Sequence, residues 1–191
     1  SLGLKADGGI PVVTADVFGR VTVGPLGFLS LLETQLGIPV SDLSFTTRLI
    51  QYLACVDRVD HEDAFYHASY MADPFSVARK LLQWRDQWYL AGWDGTFRGK
   101  VSARLADMAA LEELAAAEVE PGLGQRIQTV IGLLANNPVA VASISLCDQL
   151  TDFPKLWQLF IEAVGVPLTE AESTSSQGRE GREIFKLQQH L

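Results

Sequence analysis

The chain has 191 residues, 48% of them hydrophobic, and a formal net charge of −8, with a mean hydropathy of +0.14. That length predicts one domain, or one with an appendage, with enough chain to bury a sizeable core. The acidity argues against an autonomous nucleic-acid binder, which carries a basic footprint, and no apolar run reaches the roughly eighteen residues of a membrane span, so no membrane partner is expected.

The N-terminal SLGLKADGG lacks the charged start and apolar core of a secretory signal. It also lacks an initiating Met, which reads as processing or trimming. Residues 1–16 carry Gly8, Gly9 and Pro11 and then Ile10, Val12 and Val13 in apolar alternation, which predicts a loop or an edge strand. Phe18 to Leu36, FGRVTVGPLGFLSLLETQL, reads as a buried strand, a glycine-proline turn and an amphipathic helix. Pro25 suits a first helical position. Gly37 and Pro39 end that helix. This is where a nucleotide-binding α/β domain would place its phosphate loop, yet Gly24, Pro25 and Gly27 are followed by no Lys-Ser or Lys-Thr pair, so the loop reads as degenerate. Gly19 and Gly24 have the spacing of a phosphate loop but enclose the strand itself.

Ser41 or Ser44 is expected to cap a helix with Leu49, Ile50, Leu53 and Val56 on one face, ending near Asp57. The acidic DRVDHED segment with His61 and His67 offers no metal spacing, because histidines six apart do not share a helix face. Capping of the helix that follows is the simpler account. Asp73-Pro74 is the clearest helix start. Val77, Leu81, Trp84, Trp88 and Ala91 then mark a core face, flanked by Ala78 and Leu82.

Packing accounts for the tryptophan pair, with stacking on bases near Arg79, Arg85 and Arg98 as the alternative. Trp93 lies beyond the helix in the turn-rich WDGTFRGK, which carries Arg98 and Lys100. Ser102 caps the next helix, just inside which stands Arg104. Residues 79–104 hold 6 basic and 2 acidic side chains, a band of +4 between segments of −5 and −7. Arg98, Lys100, Arg104 and Trp93 are therefore the DNA-contact candidates.

A helix from Leu105 to about Ala117 is followed by one burying Ile127, Val130, Ile131 and Leu134, broken by Asn136-Asn137-Pro138. VAVASISLC (139–147) reads as a strand covered on both faces, with Asp148 at its C-terminal end, where α/β proteins place ligand-contacting acids or plain turns. Pro154 opens a last helix, which stops at Gly165-Val166-Pro167. Polar residues 168–182 read as a linker. Ile184, Leu187 and Leu191 resume a helical spacing, which predicts that the natural chain continues. Cys55 and Cys147 form no metal spacing and read as buried thiols of a cytoplasmic protein.

These readings predict a helix-rich α/β fold with a small, mainly parallel sheet, a helical subdomain over about 41–136 inside residues 17–167, and 168–191 as a linker with the start of a further helix. GPLGFLSLLETQLGI, FYHASYMADPFSVARKLLQWRDQWYLAGWDG and RLADMAALEEL together resemble the N-terminal region of bacterial PD-(D/E)XK nuclease family proteins related to AddB and RecC. The resemblance covers residues 17–166, and WRDQWYLAGWDG is its most specific part. It implies an inactivated superfamily 1 helicase-like domain, degenerate in its P-loop, that positions DNA in a double-strand break repair protein. The implied partners are DNA, downstream domains of the same chain and a helicase subunit. Magnesium would belong to a nuclease domain elsewhere, since Glu183 and Lys186 alone do not complete such a site, and no cofactor is expected in these residues. The alternatives are an independent nucleotide-binding enzyme and a helical protein-interaction module.

Overall fold

The β-branched run before Gly24 forms a strand and the glycine-proline pair after it starts a helix, in a computed structural model that describes residues 13–16, 19–39 and 44–170. Strands β1 (Val13–Asp16) and β2 (Arg20–Val23) make an antiparallel hairpin, Val13 pairing with Val23 and Asp16 with Arg20. There follow helices α1 (Pro25–Gln35), α2 (Phe45–Val59), α3 (His67–Ala72), α4 (Pro74–Leu90), α5 (Ala103–Glu118) and α6 (Leu123–Leu134). Strand β3 (Ile144–Leu146), a 3-10 turn at Leu150–Asp152, helix α7 (Lys155–Ala163) and strand β4 (Leu168–Glu170) complete the order.

The sheet runs β2-β1-β3-β4. Only β3 and β4 are parallel; β1 is antiparallel to both β2 and β3, which corrects the expectation of a mainly parallel sheet. The cause is the hairpin, because a strand returning through so short a connection must run antiparallel to its partner. It also makes β1 an interior strand, where a loop or an edge was expected, and puts β2 at the edge with Val21 39% exposed, where a buried strand was expected. β3 is shorter than residues 139–147 and one-sided: Ile144 and Leu146 are buried, while Ser145 is partly exposed with its hydroxyl 3.3 Å from that of Thr169. Leu168–Glu170, expected as linker, pairs with β3 as β4. Residues 171–191, with Glu183, Lys186 and the expected terminal helix, lie outside the described residues, as do Ser41, Val17 and Phe18.

Local signals set the helix ends. Pro25 opens α1 after Gly24, Ser44 accepts the Thr47 N–H at 3.2 Å, Asp73 accepts that of Ser76 at 3.1 Å, and Ser102 accepts that of Leu105 at 3.4 Å. These caps satisfy backbone donors that a helix leaves unpaired.

Two hydrophobic clusters divide the interior. One joins α1, α6, α7 and β3 through Phe28, Leu32, Ile127, Val130, Ile144 and Phe160, with Phe28 and Phe160 edge to face at 5.5 Å between centroids. The other joins α2 to α5 through Leu49, Tyr52, Val56, Leu82, Met108 and Leu111. Helix α6 buries its apolar face on the sheet side, although the sequence reading groups it with the middle helices. Cys55 lies in the second cluster, whereas Cys147 is exposed, not buried as expected.

Candidate nucleic-acid interface

Helix α4 connects the two clusters and carries Arg79, Lys80 and Arg85 of the positive band, while the four DNA-contact candidates lie in the loop after it and at the start of α5. The buried positions of α4 are Ala78, Leu81, Leu82, Arg85 and Tyr89, so the buried face is turned from the expected one and Trp84 and Trp88 are only half-buried. At its centre Arg85 has no exposure at all and meets Glu112 of α5 through Nε at 2.6 Å and Nη2 at 2.9 Å. The Tyr89 hydroxyl donates to the same carboxylate at 2.7 Å, and Arg85 Nη1 reaches Gln125 of α6 at 3.2 Å. Burial pushes the Arg85 guanidinium down, but the hydrogen bonds and charge of Glu112 more than offset this and hold it above its ordinary value. Arg48 makes a second bidentate pair with Asp86 and donates to the Glu120 carbonyl, and Arg126 pairs with Glu33 at 2.7 Å.

WRDQWYLAGWDG is therefore first a structural junction. Arg85, Asp86 and Tyr89 tie α4 to α2, α5 and α6. Gly95 keeps a positive φ of 85°, and a Cβ there would stand 2.7 Å from the Tyr89 hydroxyl. A sequence signal for this network exists in Arg85 and Tyr89 at i and i+4 within an apolar face. The reading by periodicity passed over it because charged positions were assigned to the surface.

The four candidates separate. Trp93 packs against Trp88, Tyr89 and Phe97 with centroids 5.6, 5.0 and 4.8 Å away, and its indole N–H donates to the Thr96 carbonyl at 3.0 Å. That ring is held between its own loop and the end of α4. Arg98 is exposed but paired with Asp94 at 2.5 Å. Lys100 and Arg104 are exposed with no carboxylate in ion-pairing range among the described residues, as are Arg79 and Lys80. The band of +4 thus has an inward part, Arg85, which Glu112 neutralises, and an outward part on α4 and the start of α5.

The structure adds two aromatic residues to the outward part. Lys80 Nζ lies 5.9 Å from the Trp84 centroid, Trp84 stacks with Phe65 at 6.5 Å and an interplanar angle of 19°, and Arg104 Cζ lies 5.8 Å from the Phe65 centroid. Two cations therefore flank a parallel ring pair built from α4, α5 and the loop before α3. That loop is pinned by acids of the elements around it: Asp107 of α5 accepts the Phe65 N–H at 3.0 Å, Asp60 at the end of α2 pairs with His67 at 2.8 Å, and Asp57 of α2 accepts the Tyr70 hydroxyl. Asp57 and Asp60 of DRVDHED hold side chains in place, whereas helix capping was expected; α3 has no acidic residue in its first turn. Among the described residues no three His, Cys, Asp or Glu side chains gather as a metal site.

The remaining expected features are bland in the structure. Gly24 is an extended N-cap, and Gly27 lies in the first turn of α1, where a Cβ would meet Val23 Cβ at 3.3 Å. The strand feeding this turn is the sheet edge, not the inner parallel strand of a phosphate-binding crevice. Asp148 is exposed just past β3. A cleft of about 80 Å³ beside the Glu33–Arg126 pair, lined also by Ile38, Pro39, Pro121 and Thr129, has room for a few waters. No helix among the described residues is long and apolar enough to cross a membrane. No family model, curated protein or solved structure matches the chain.

Proposed function

We propose that this chain is a noncatalytic, DNA-positioning portion of a larger helicase-nuclease type repair protein, and that its nucleic-acid face is the outer surface of α4 and the start of α5. The observation that carries this reading is the set Arg79, Lys80, Lys100 and Arg104, exposed and in no close ion pair among the described residues, in a chain of net charge −8. Elsewhere on the described surface the exposed Arg58 is tied to Glu118 and Lys155 on α7 is exposed without an ion pair, so most of the unpaired cations, though not all, are concentrated on one segment. A cation that binds phosphate releases counterions from the nucleic acid, so removing such a cation makes binding less dependent on salt. The resemblance of WRDQWYLAGWDG supports the assignment to a DNA-processing assembly. The fold proposed to underlie it is a degenerate helicase-like domain with its nucleotide chemistry gone, in keeping with the missing lysine after Gly24.

Fluorescence anisotropy with labelled DNA at low and moderate salt tests the reading. A Lys80→Ala/Lys100→Ala/Arg104→Ala variant should bind more weakly, with a salt slope smaller by about two to three. Arg98→Ala should change little, because Arg98 is already paired with Asp94. Equal affinity in wild type and triple variant would remove this surface.

A further inference from the structure

We infer that the nucleic acid held by this face is single-stranded, and that a base stacks on the Trp84–Phe65 pair while Lys80 and Arg104 take the flanking phosphates. This rests on the proposed function and adds the ligand's form. Both rings are half-buried, so each is fixed by packing and still presents surface to solvent. They lie nearly parallel, at 19°, in a stacked arrangement that presents ring faces rather than edges. The cations lie over the rings themselves, Lys80 at 5.9 Å from Trp84 and Arg104 at 5.8 Å from Phe65.

Such a cation blankets the π-face only in the free protein. A long Lys or Arg stem swings its charge aside to a phosphate, and the exposed face then takes a base. Bases of a duplex are already stacked and covered on both faces, so only a single strand presents one to a fixed ring. Trp93 does not serve this role, because its indole N–H and ring are engaged within its own loop.

The test compares a 20-nucleotide oligothymidine with a duplex of equal length and with an abasic strand of equal charge, using the full chain. Wild type should prefer the oligothymidine to both other ligands, by ~10-fold over the abasic strand. Trp84→Leu should lose that preference with its salt slope unchanged, Trp84→Phe should retain most of it, and Lys80→Ala/Arg104→Ala should instead lower the slope. Circular dichroism confirms that each variant is folded, and the wild-type comparison of oligothymidine with abasic strand decides the matter if Trp84→Leu is not. Equal binding of oligothymidine and abasic strand, with the lysine-arginine variant still weaker, overturns stacking and leaves the phosphate face standing. No binding of any strand by wild type overturns both.

Discussion

Replacing Glu112 by glutamine keeps the side chain's shape, removes its charge and strands a guanidinium that has 0% exposure. The wild-type carboxylate accepts from Arg85 Nε at 2.6 Å, Arg85 Nη2 at 2.9 Å and the Tyr89 hydroxyl at 2.7 Å. An amide keeps one acceptor oxygen and turns an NH2 group towards these donors, so at least one guanidinium N–H loses its acceptor. Breaking a buried pair from one side costs about 3–5 kcal/mol, against the roughly 5–15 kcal/mol that keeps a domain folded. Urea unfolding followed by circular dichroism should show a lower midpoint at an unchanged slope. An Arg85→Met/Tyr89→Phe/Glu112→Leu variant removes both charges and the hydroxyl together, while Gln125 keeps the Gly122 N–H at 3.0 Å. It should recover most of the stability, since an apolar replacement of a buried pair is often neutral or stabilising. A Glu112→Gln cost under about 1 kcal/mol, or a triple variant less stable than Glu112→Gln, would refute the reasoning.

Two alanines on α6 should act in opposite directions. A Cβ on Gly124 would stand 2.6 Å from the Tyr89 carbonyl carbon and 2.7 Å from the Leu90 nitrogen, both backbone atoms, so Gly124→Ala should cost at least about 1–3 kcal/mol in the same unfolding assay. Gly132 has nothing within 4 Å, and Gly132→Ala should stabilise by roughly 0.5–1 kcal/mol through helix propensity. Burial pushes up the hydroxyls of Tyr52, Tyr66, Tyr70 and Tyr89, that of Tyr66 to about 12, with the Asp60 charge adding to the effect there. The native state then keeps protons that the unfolded chain releases, so stability is full below the ordinary tyrosine value of about 10 and falls as pH climbs through the native values. Tyr66→Phe should flatten this fall and should not destabilise at neutral pH, because the buried Tyr66 hydroxyl lacks a hydrogen-bond partner. An unchanged alkaline limb in a pH series of urea midpoints would contradict it.

The junction at WRDQWYLAGWDG bears on how its sequence character is explained. Arg85, Asp86, Tyr89 and Gly95 are each accounted for by contacts inside the domain. Trp84 is the member of the stretch that stacks with Phe65 beside exposed Lys80 and Arg104. A stability variant at Arg85 and a binding variant at Trp84 therefore probe separate properties of one helix.

Helix starts and stops were legible in the residues themselves. Gly24-Pro25, Ser44, Asp73-Pro74 and Ser102 act through backbone groups within three or four positions, so their geometry is local. The same holds for the missing phosphate-loop lysine and for the positive band of residues 79–104. Sheet order was not legible, because the hairpin partner of β2 and the parallel pairing of β3 with Leu168–Glu170 are chosen by which surfaces meet across the fold. Nor was the direction in which each cation points: Arg85 and Lys80 stand five residues apart on α4, one sealed against Glu112 and the other exposed over Trp84. Local sequence determined where the chain turns helical and that no phosphate-loop lysine follows Gly24, since capping and motif spacing are short-range. Only tertiary packing decided which charges are neutralised inside and which remain for a ligand, since a charge's environment is set by residues far along the chain.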